Sequence, residues 1–343
     1  MTKHRLHETK TDLQGIYNTE KADFLLENFT HLVSGREVVD PFVGEWHLMD
    51  WAEKNGAISA RGYDVELTDK RTQHNDYYQE PVVIGDDELV VTNPPFLSSN
   101  RNKRGDRRPY EKFGQNDYYK CYLASLAQTN TNEAIIFMPT NFFCETSKKA
   151  REAFFKDYTV KYGEYWTEPT FDGVQISLCI IHVVREKKTV HEFTLLNRTT
   201  DEEVSMSITS AYGCRSGKGF WDYVHDAPDY TLVKTDDGMP QANTNIVVSL
   251  LDGGSYGLGL YYNEGIPIYC RPKSFTTYQI TTDLELTEEQ QKKIVKDFND
   301  ILDKYRDKYA SMFLSNYIDA KQKIMSRTIA HSLLSKCIEK VIE

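Results

Sequence analysis

No apolar run in the sequence approaches the roughly 20 residues that cross a bilayer, and the opening MTKHRLHETKTD lacks the apolar stretch of a secretory signal. A cytoplasmic protein without membrane association is expected. Cysteine is sparse: Cys121, Cys144, Cys179, Cys214, Cys270 and Cys337 form neither a CxxC pair nor a dense disulfide frame, so they read as reduced thiols. The nine histidines offer no HxxxH or HxH spacing, and no metal centre is expected. A GxxxxGKS or GxxxxGKT loop is also missing, which removes the usual phosphate-loop ATPase.

Positive charge is in deficit as well, with 41 Lys and Arg against 51 Asp and Glu and a net charge of −10. That balance argues against indiscriminate coating of nucleic acid, because phosphate binding draws on Lys and Arg. Basic residues nevertheless concentrate in one place: Arg101, Lys103, Arg104, Arg107, Arg108 and Lys112. They suit either the phosphates of a DNA backbone or a solvated loop.

What is present is enough apolar residue, 40% of 343, for a buried core, and enough length for two modules. The first half alternates strand and helix patterns. Strands are expected at 37–40, 58–63, 88–92, 134–138, 159–165 and 176–184, with helices over 47–55, 117–128 and 147–155. Such alternation implies an α/β fold with a mostly parallel sheet, whose ligands bind at the carboxyl ends of the strands. Asp40, Asp64 and Asn93 all fall at those ends. Beyond residue 188 the texture turns to glycines, polar residues and short β-like runs such as 246–251, a loop-rich α+β module. From Thr287 onward it becomes helical, with Ile294, Phe298, Ile301, Leu302 and Tyr305 at three- and four-residue spacing.

The sharpest chemical signal is Asn93-Pro94-Pro95-Phe96, at the end of an expected strand. A stiff turn would suffice to explain two prolines. The chemical alternative is specific. An exocyclic amino nitrogen is a poor nucleophile because its lone pair is delocalised into the ring, so its hydrogens must be drawn out of the ring plane. The side-chain oxygen of Asn93 and the carbonyl of Pro94 can each accept one of them, and Phe96 supplies a face on which a heterocycle can stack.

This tetrapeptide resembles motif IV of the amino-methyltransferases. Asp40-Pro41-Phe42-Val43-Gly44, which precedes it, is similar to the cofactor loop, motif I. The order, with a long C-terminal module after both, resembles the gamma class of N6-adenine DNA methyltransferases over about residues 12 to 186. The resemblance implies a Rossmann-like class I methyltransferase domain over 1–188, and a target-recognition, DNA-binding module ending in helices over 189–343. S-adenosylmethionine would be the cofactor and double-stranded DNA the partner, with a cognate restriction endonuclease as companion and the chain itself a monomer.

Carried over by position, the resemblance assigns Asn93, Pro94, Pro95 and Phe96 to catalysis. Asp40, Phe42 and Gly44 go to the cofactor loop, and Asp64 to the ribose hydroxyls. Asp76 and Tyr77 resemble the pair that meets the cofactor adenine, by an acceptor and a packing ring. Thr19, within Gly15-Ile16-Tyr17-Asn18-Thr19, would lie near the methionine end. Phe171, in Thr170-Phe171-Asp172-Gly173, would close on an extruded base opposite Phe96, and Arg101, Lys103, Arg104, Arg107 and Arg108 would hold phosphates. One position departs from the pattern: where motif I usually has a second glycine, this chain has Trp46, whose side chain threatens close approach of the backbone to a ligand. Methyl transfer to RNA or to protein, or a DNA-binding module that kept the fold without the catalysis, are the rival functions. Cytosine amino-methyltransferases usually carry Ser or Asp where this chain has Asn93.

Overall fold

The computed structural model describes residues 21–102, 105–168, 170, 176–228, 230–235, 242–252, 257–264, 276–317 and 322–343. Thr19, Lys103, Arg104 and Phe171 lie outside the described residues. The chain divides into two compact units, Met1–Phe142 with Ser147–Glu203, and Phe143–Thr146 with Val204–Glu343.

In the first unit, the strands are β1 (Glu37–Asp40), β2 (Ser59–Asp64), β3 (Gln73–His74), β4 (Leu89–Thr92), β5 (Glu133–Pro139), β6 (Tyr158–Tyr165), β7 (Leu178–Arg185) and β8 (Val190–Asn197). They lie in the order β3-β2-β1-β4-β5-β7-β6-β8. Only β7 runs against its neighbours, β5 and β6; the remaining pairings among the described residues are parallel. This is the mostly parallel, Rossmann-like sheet expected from the alternation. The central strands explain it: β4 is buried throughout and β5 is buried from Ala134 to Pro139, as strands covered on both faces must be. From β1 the chain runs outward through β2 and β3, then returns to the other side of β1 with β4. The sheet therefore opens a crevice at the carboxyl ends of β1 and β4.

Helices α1 (Ala22–Leu25), α2 (Thr30–Val33), α3 (His47–Lys54), α4 (Arg108–Phe113), α5 (Tyr118–Ser125) and α6 (Lys148–Phe154) belong to this unit. In α3 the buried residues Leu48, Met49, Trp51 and Ala52 share one face, and Gly56, with φ +90°, carries the chain out of the helix. Two features depart from the sequence expectation. Strand β8 pairs with β6 in parallel, so the first unit runs on to Glu203 rather than ending near 188. Within the basic segment, Pro109 near the start of a helix and Gly114 in the left-handed region after it delimit the helical turn α4.

In the second unit, β9 (Glu202–Thr209) pairs antiparallel with β10 (Arg215–Ser216). Helix α7 spans Phe220–His225. Strands β11 (Leu232–Thr235), β12 (Ile246–Ser249), β13 (Gly259–Tyr262) and β14 (Thr277–Thr282) form an antiparallel sheet ordered β11-β14-β12-β13. Helix α8 (Glu288–Tyr309) starts at a capping box, in which Thr287 and Gln290 satisfy each other's backbone N–H. Ile294, Phe298 and Leu302 form its buried stripe, and Asn299 exchanges two hydrogen bonds with the Leu260 backbone of β13, at 2.9 and 2.8 Å. The hairpin β15 (Asn316–Tyr317) and β16 (Lys323–Ile324) precedes helix α9 (Arg327–Ile342).

Candidate functional site

Three of the expected residues stand at the carboxyl ends of adjacent strands: Asp40 ends β1, Asp64 ends β2 and Asn93 follows β4 directly. Asp40 is fully buried. Its Oδ1 accepts two hydrogen bonds, from the Phe42 N–H at 2.9 Å and the Thr92 hydroxyl at 2.6 Å. Its Oδ2 is also buried and has no hydrogen-bond partner among the described residues. Burial pushes the Asp40 carboxyl up to about 7, against the pull of those two donors and with Asp64 adding to the rise.

Asp64 closes the loop after β1. Its Oδ2 accepts the Gly44 N–H at 3.1 Å and its Oδ1 the Glu66 N–H at 3.0 Å, and burial holds its carboxyl above the ordinary range. The Thr68 hydroxyl donates to the Gly44 carbonyl at 2.5 Å from the same segment. Gly44 itself has φ +52°, and a Cβ added there would meet nothing within 4 Å, so this face of the loop is open. Val65 and Leu67 are 56% and 62% exposed directly after Asp64, an apolar surface that pattern reading missed because two isolated residues carry no periodicity.

Trp46 does not obstruct this loop in the manner its size suggests. It takes the left-handed conformation itself, φ +72°, at the head of α3, which costs a non-glycine residue about 1–3 kcal/mol. Its indole is 2% exposed and is seated against Gly62 of β2, where a Cβ would fall 2.6 Å from Trp46 Cζ3 and 2.5 Å from Val43 Cγ2. The Arg71 guanidinium lies 4.7 Å from the ring centroid and is held by Asp50 and Asp69. Gly62, lacking a Cβ, leaves the space that the Trp46 ring occupies.

Phe42 sits in an aromatic cluster with Tyr77, Tyr78 and Tyr122, at ring-centroid distances of 5.0, 5.6 and 5.4 Å. Tyr77 is 3% exposed and its hydroxyl meets Ser125 Oγ at 2.9 Å. Its ring packs against Phe42 and Tyr122 at centroid distances of 5.0 and 5.4 Å. Asp76 is half-buried; its carboxylate accepts the Gln79 side-chain amide and lies 3.8 Å from Arg108.

The tetrapeptide is enclosed from the helix side. Phe96 is 5% exposed and meets Tyr119 edge to face at 5.9 Å, so stacking a base on it requires that its covering yield. Pro94 is buried, and Asn93 is half-buried with its Oδ1 shut off from water. Asp117, at the head of α5, is likewise pushed up to about 7 by burial; its Oδ1 is inaccessible and takes no hydrogen bond among the described residues.

The described residues of the basic segment are tied to the loop around them by hydrogen bonds. Buried Asn102 donates to the Asp106 carbonyl at 2.8 Å and to the hydroxyls of Tyr118 and Tyr110 at 3.1 and 3.2 Å. Tyr110 donates in turn to the Leu97 carbonyl at 2.8 Å, and the two tyrosine rings stack at 4.9 Å. Arg107 donates to the carbonyls of Ser99 and Asn102, while exposed Arg108 pairs with Asp106 at 2.8 Å. Arg101 is exposed. Of the expected phosphate ligands, Arg107 is therefore committed to the backbone of its own loop.

No protein-family model matches the chain, and no curated protein matches it. Among solved structures it is similar to the type I restriction-modification system methyltransferase subunit from Streptococcus thermophilus, at 13% identity over 55% of this chain and 48% of that one, with a TM-score of 0.39. It is also similar to the type I restriction enzyme EcoKI M protein, at 12% identity over 53% and 48%, TM-score 0.40. The type IIG restriction endonuclease BpuSI aligns at 13% identity over 66% of this chain and 37% of its own, TM-score 0.43. The chain spans about half the length of the two type I subunits. No helix among the described residues is long and apolar enough to cross a membrane, and no cluster of three or more His, Cys, Asp or Glu among them would hold a metal ion.

Proposed function

We propose that the chain is an S-adenosylmethionine-dependent DNA methyltransferase that methylates the exocyclic N6 amino group of an adenine extruded from the duplex. One observation carries this: Asn93-Pro94-Pro95-Phe96 leaves β4 at the carboxyl edge of the sheet, where Asp40 ends the adjoining strand β1 and Asp64 ends β2, the strand beyond it.

The residues around the crevice fit the cofactor. Asp64 retains lone pairs for ribose hydroxyls beyond the two N–H groups it accepts. Gly44 leaves its face of the loop open, Val65 and Leu67 offer an apolar surface suited to an adenine face, and Asp40 Oδ2 is a buried acceptor suited to an ammonium. When bound, the cofactor supplies an electrophilic methyl group on sulfur. The chain's own part is orientation: Asn93 Oδ1 and the Pro94 carbonyl each accept one hydrogen of the target amine, turning its lone pair toward the incoming methyl. After transfer the nitrogen bears an extra proton, which leaves to Asn93-bound solvent or bulk water. Extrusion costs a few kcal/mol of stacking and pairing, and stacking on Phe96 offsets about 1–3 kcal/mol of it.

Sequence recognition falls to the second unit in this proposal, because the first has no spare element for it. A cognate restriction endonuclease belongs to the same proposal. The test is a labelled-methyl transfer assay on purified duplex DNA, RNA and protein. Incorporation into DNA by the wild-type chain and its loss in Asn93→Ala support the proposal; label entering only RNA or protein moves the function to another amino-methyltransferase class.

A further inference from the structure

Thr92 immediately precedes Asn93 and is fully buried at the end of β4. Strand β4 lies beside β1 in parallel, with Val38 opposite Leu89 and Val39 opposite Val90, so the two strands end side by side. Across that boundary the Thr92 hydroxyl donates to Asp40 Oδ1 at 2.6 Å, and the same oxygen accepts the Phe42 N–H at 2.9 Å. One carboxylate atom is therefore the common anchor of two loops: the one that begins at Asn93, and the one that holds Phe42 and, through the Asp64 bond, Gly44.

We propose that Thr92 is a positioning residue, which through Asp40 sets Asn93 in register with the loop that carries Phe42 and Gly44. The inference rests on the function proposed above. Its physical basis is that a sub-ångström to 1 Å misplacement of a group that orients a reacting atom costs up to about a hundredfold in rate. A threonine in this role is not interchangeable with valine, which has the same shape but no donor. Because Asp40 keeps the Phe42 N–H when the Thr92 hydroxyl is removed, the damage should be confined to the Asn93 side.

The experiment compares full-length wild type with Thr92→Val, Thr92→Ser and Thr92→Cys, measuring kcat for methyl transfer to DNA, affinity for S-adenosylhomocysteine by calorimetry, and thermal unfolding. Thr92→Val should lose about tenfold to a hundredfold in kcat while its S-adenosylhomocysteine affinity stays within about threefold of wild type. Thr92→Ser, which keeps the donor, should recover most of kcat, and Thr92→Cys, a weak donor, should fall between. Wild-type kcat in Thr92→Val, or parallel loss of kcat and affinity in all three variants, would overturn the proposal. If Thr92→Val does not fold, the serine and cysteine variants decide it: equal kcat for the two contradicts it, and a lower kcat for cysteine at equal affinity supports it. A wild-type chain that binds S-adenosylhomocysteine and methylates DNA, with an equally active Thr92→Val, defeats this inference alone. A wild-type chain that transfers no methyl to any substrate defeats the proposed function and takes the inference with it.

Discussion

The two ends of the first unit's sheet treat their charges in opposite ways. At the amino ends, acids are matched by cations. Glu133, the first residue of β5, meets Arg36 at 2.6 Å and His182 at 2.7 Å, and Glu88, just before β4, meets Arg61 at 2.5 Å. Arg185 donates to the carbonyls of Thr131, Leu126 and Thr129 and to the Tyr158 hydroxyl. At the carboxyl ends burial outweighs what opposes it: Asp40 and Asp117 are both pushed up to about 7, Asp117 in spite of nearby Lys120. Evenly distributed stabilisation would pair both ends. Under the proposed function, the asymmetry distinguishes residues that hold the fold from residues available to a ligand.

The comparison breaks most visibly at Asn93. Asn93→Ala should lower kcat for methyl transfer by about a hundredfold to a thousandfold, the scale on which a single preorganised hydrogen-bonding group acts, with unfolding temperature little changed. A loss of stability without loss of kcat would put Asn93 with the structural residues.

At the opposite end the effect should be reversed in kind. Glu133→Ala strands half-buried Arg36 and buried His182 and should cost about 2–4 kcal/mol, read as a fall in the urea midpoint. S-adenosylhomocysteine affinity should stay within about twofold, since the site is at the other end of the strands.

Asp117 offers a pH test with a definite sign. Burial lifts it to about 7 in the folded state from the ordinary carboxylate value of 3.8, so its protonated form favours the folded state; that contribution is present below about pH 4 and is lost as pH rises through 7. Asp117→Asn does not titrate. Its stability relative to wild type should therefore climb between pH 5 and pH 8, by about 1–3 kcal/mol, in paired thermal melts. A difference that does not change with pH would mean that the carboxyl is solvated.

The smallest effect belongs to Arg108, exposed and paired with Asp106. Arg108→Ala should leave the unfolding temperature nearly unchanged, yet reduce by about 1 the slope of DNA affinity against salt in a binding titration. An unchanged slope would remove Arg108 from the phosphate contacts.

Much of this asymmetry was legible in the sequence, and the part that was not has a common cause. Residues 37–40 and 47–54 could be placed because a short apolar run, a helical stripe and a terminal glycine are local signals. Asp40, Asp64 and Asn93 could be grouped because strand ends converge in a parallel sheet. The Asp40–Thr92 bond spans 52 positions and depends on which strands are neighbours, so spacing could not show it. The same holds for Phe42 among Tyr77, Tyr78 and Tyr122, where aromatic residues suited to stacking a ligand pack on one another instead. Trp46 was recognisable as a departure, but its remedy lies in Gly62, on a different strand. The bonds that hold the described part of the basic segment could not be read from its charges, because Asn102 and Tyr110 are uncharged.

The central claim is that Asn93 presents an adenine amine of DNA to the methyl donor. It is tested most directly by incubating duplex DNA of mixed sequence with the purified chain and methyl-deuterated S-adenosylmethionine, then weighing the digested nucleosides by mass spectrometry. The account predicts deuterated N6-methyladenine with the wild type and none above background with Asn93→Ala. Deuterium in no DNA nucleoside, or in equal amount with both proteins, would contradict it.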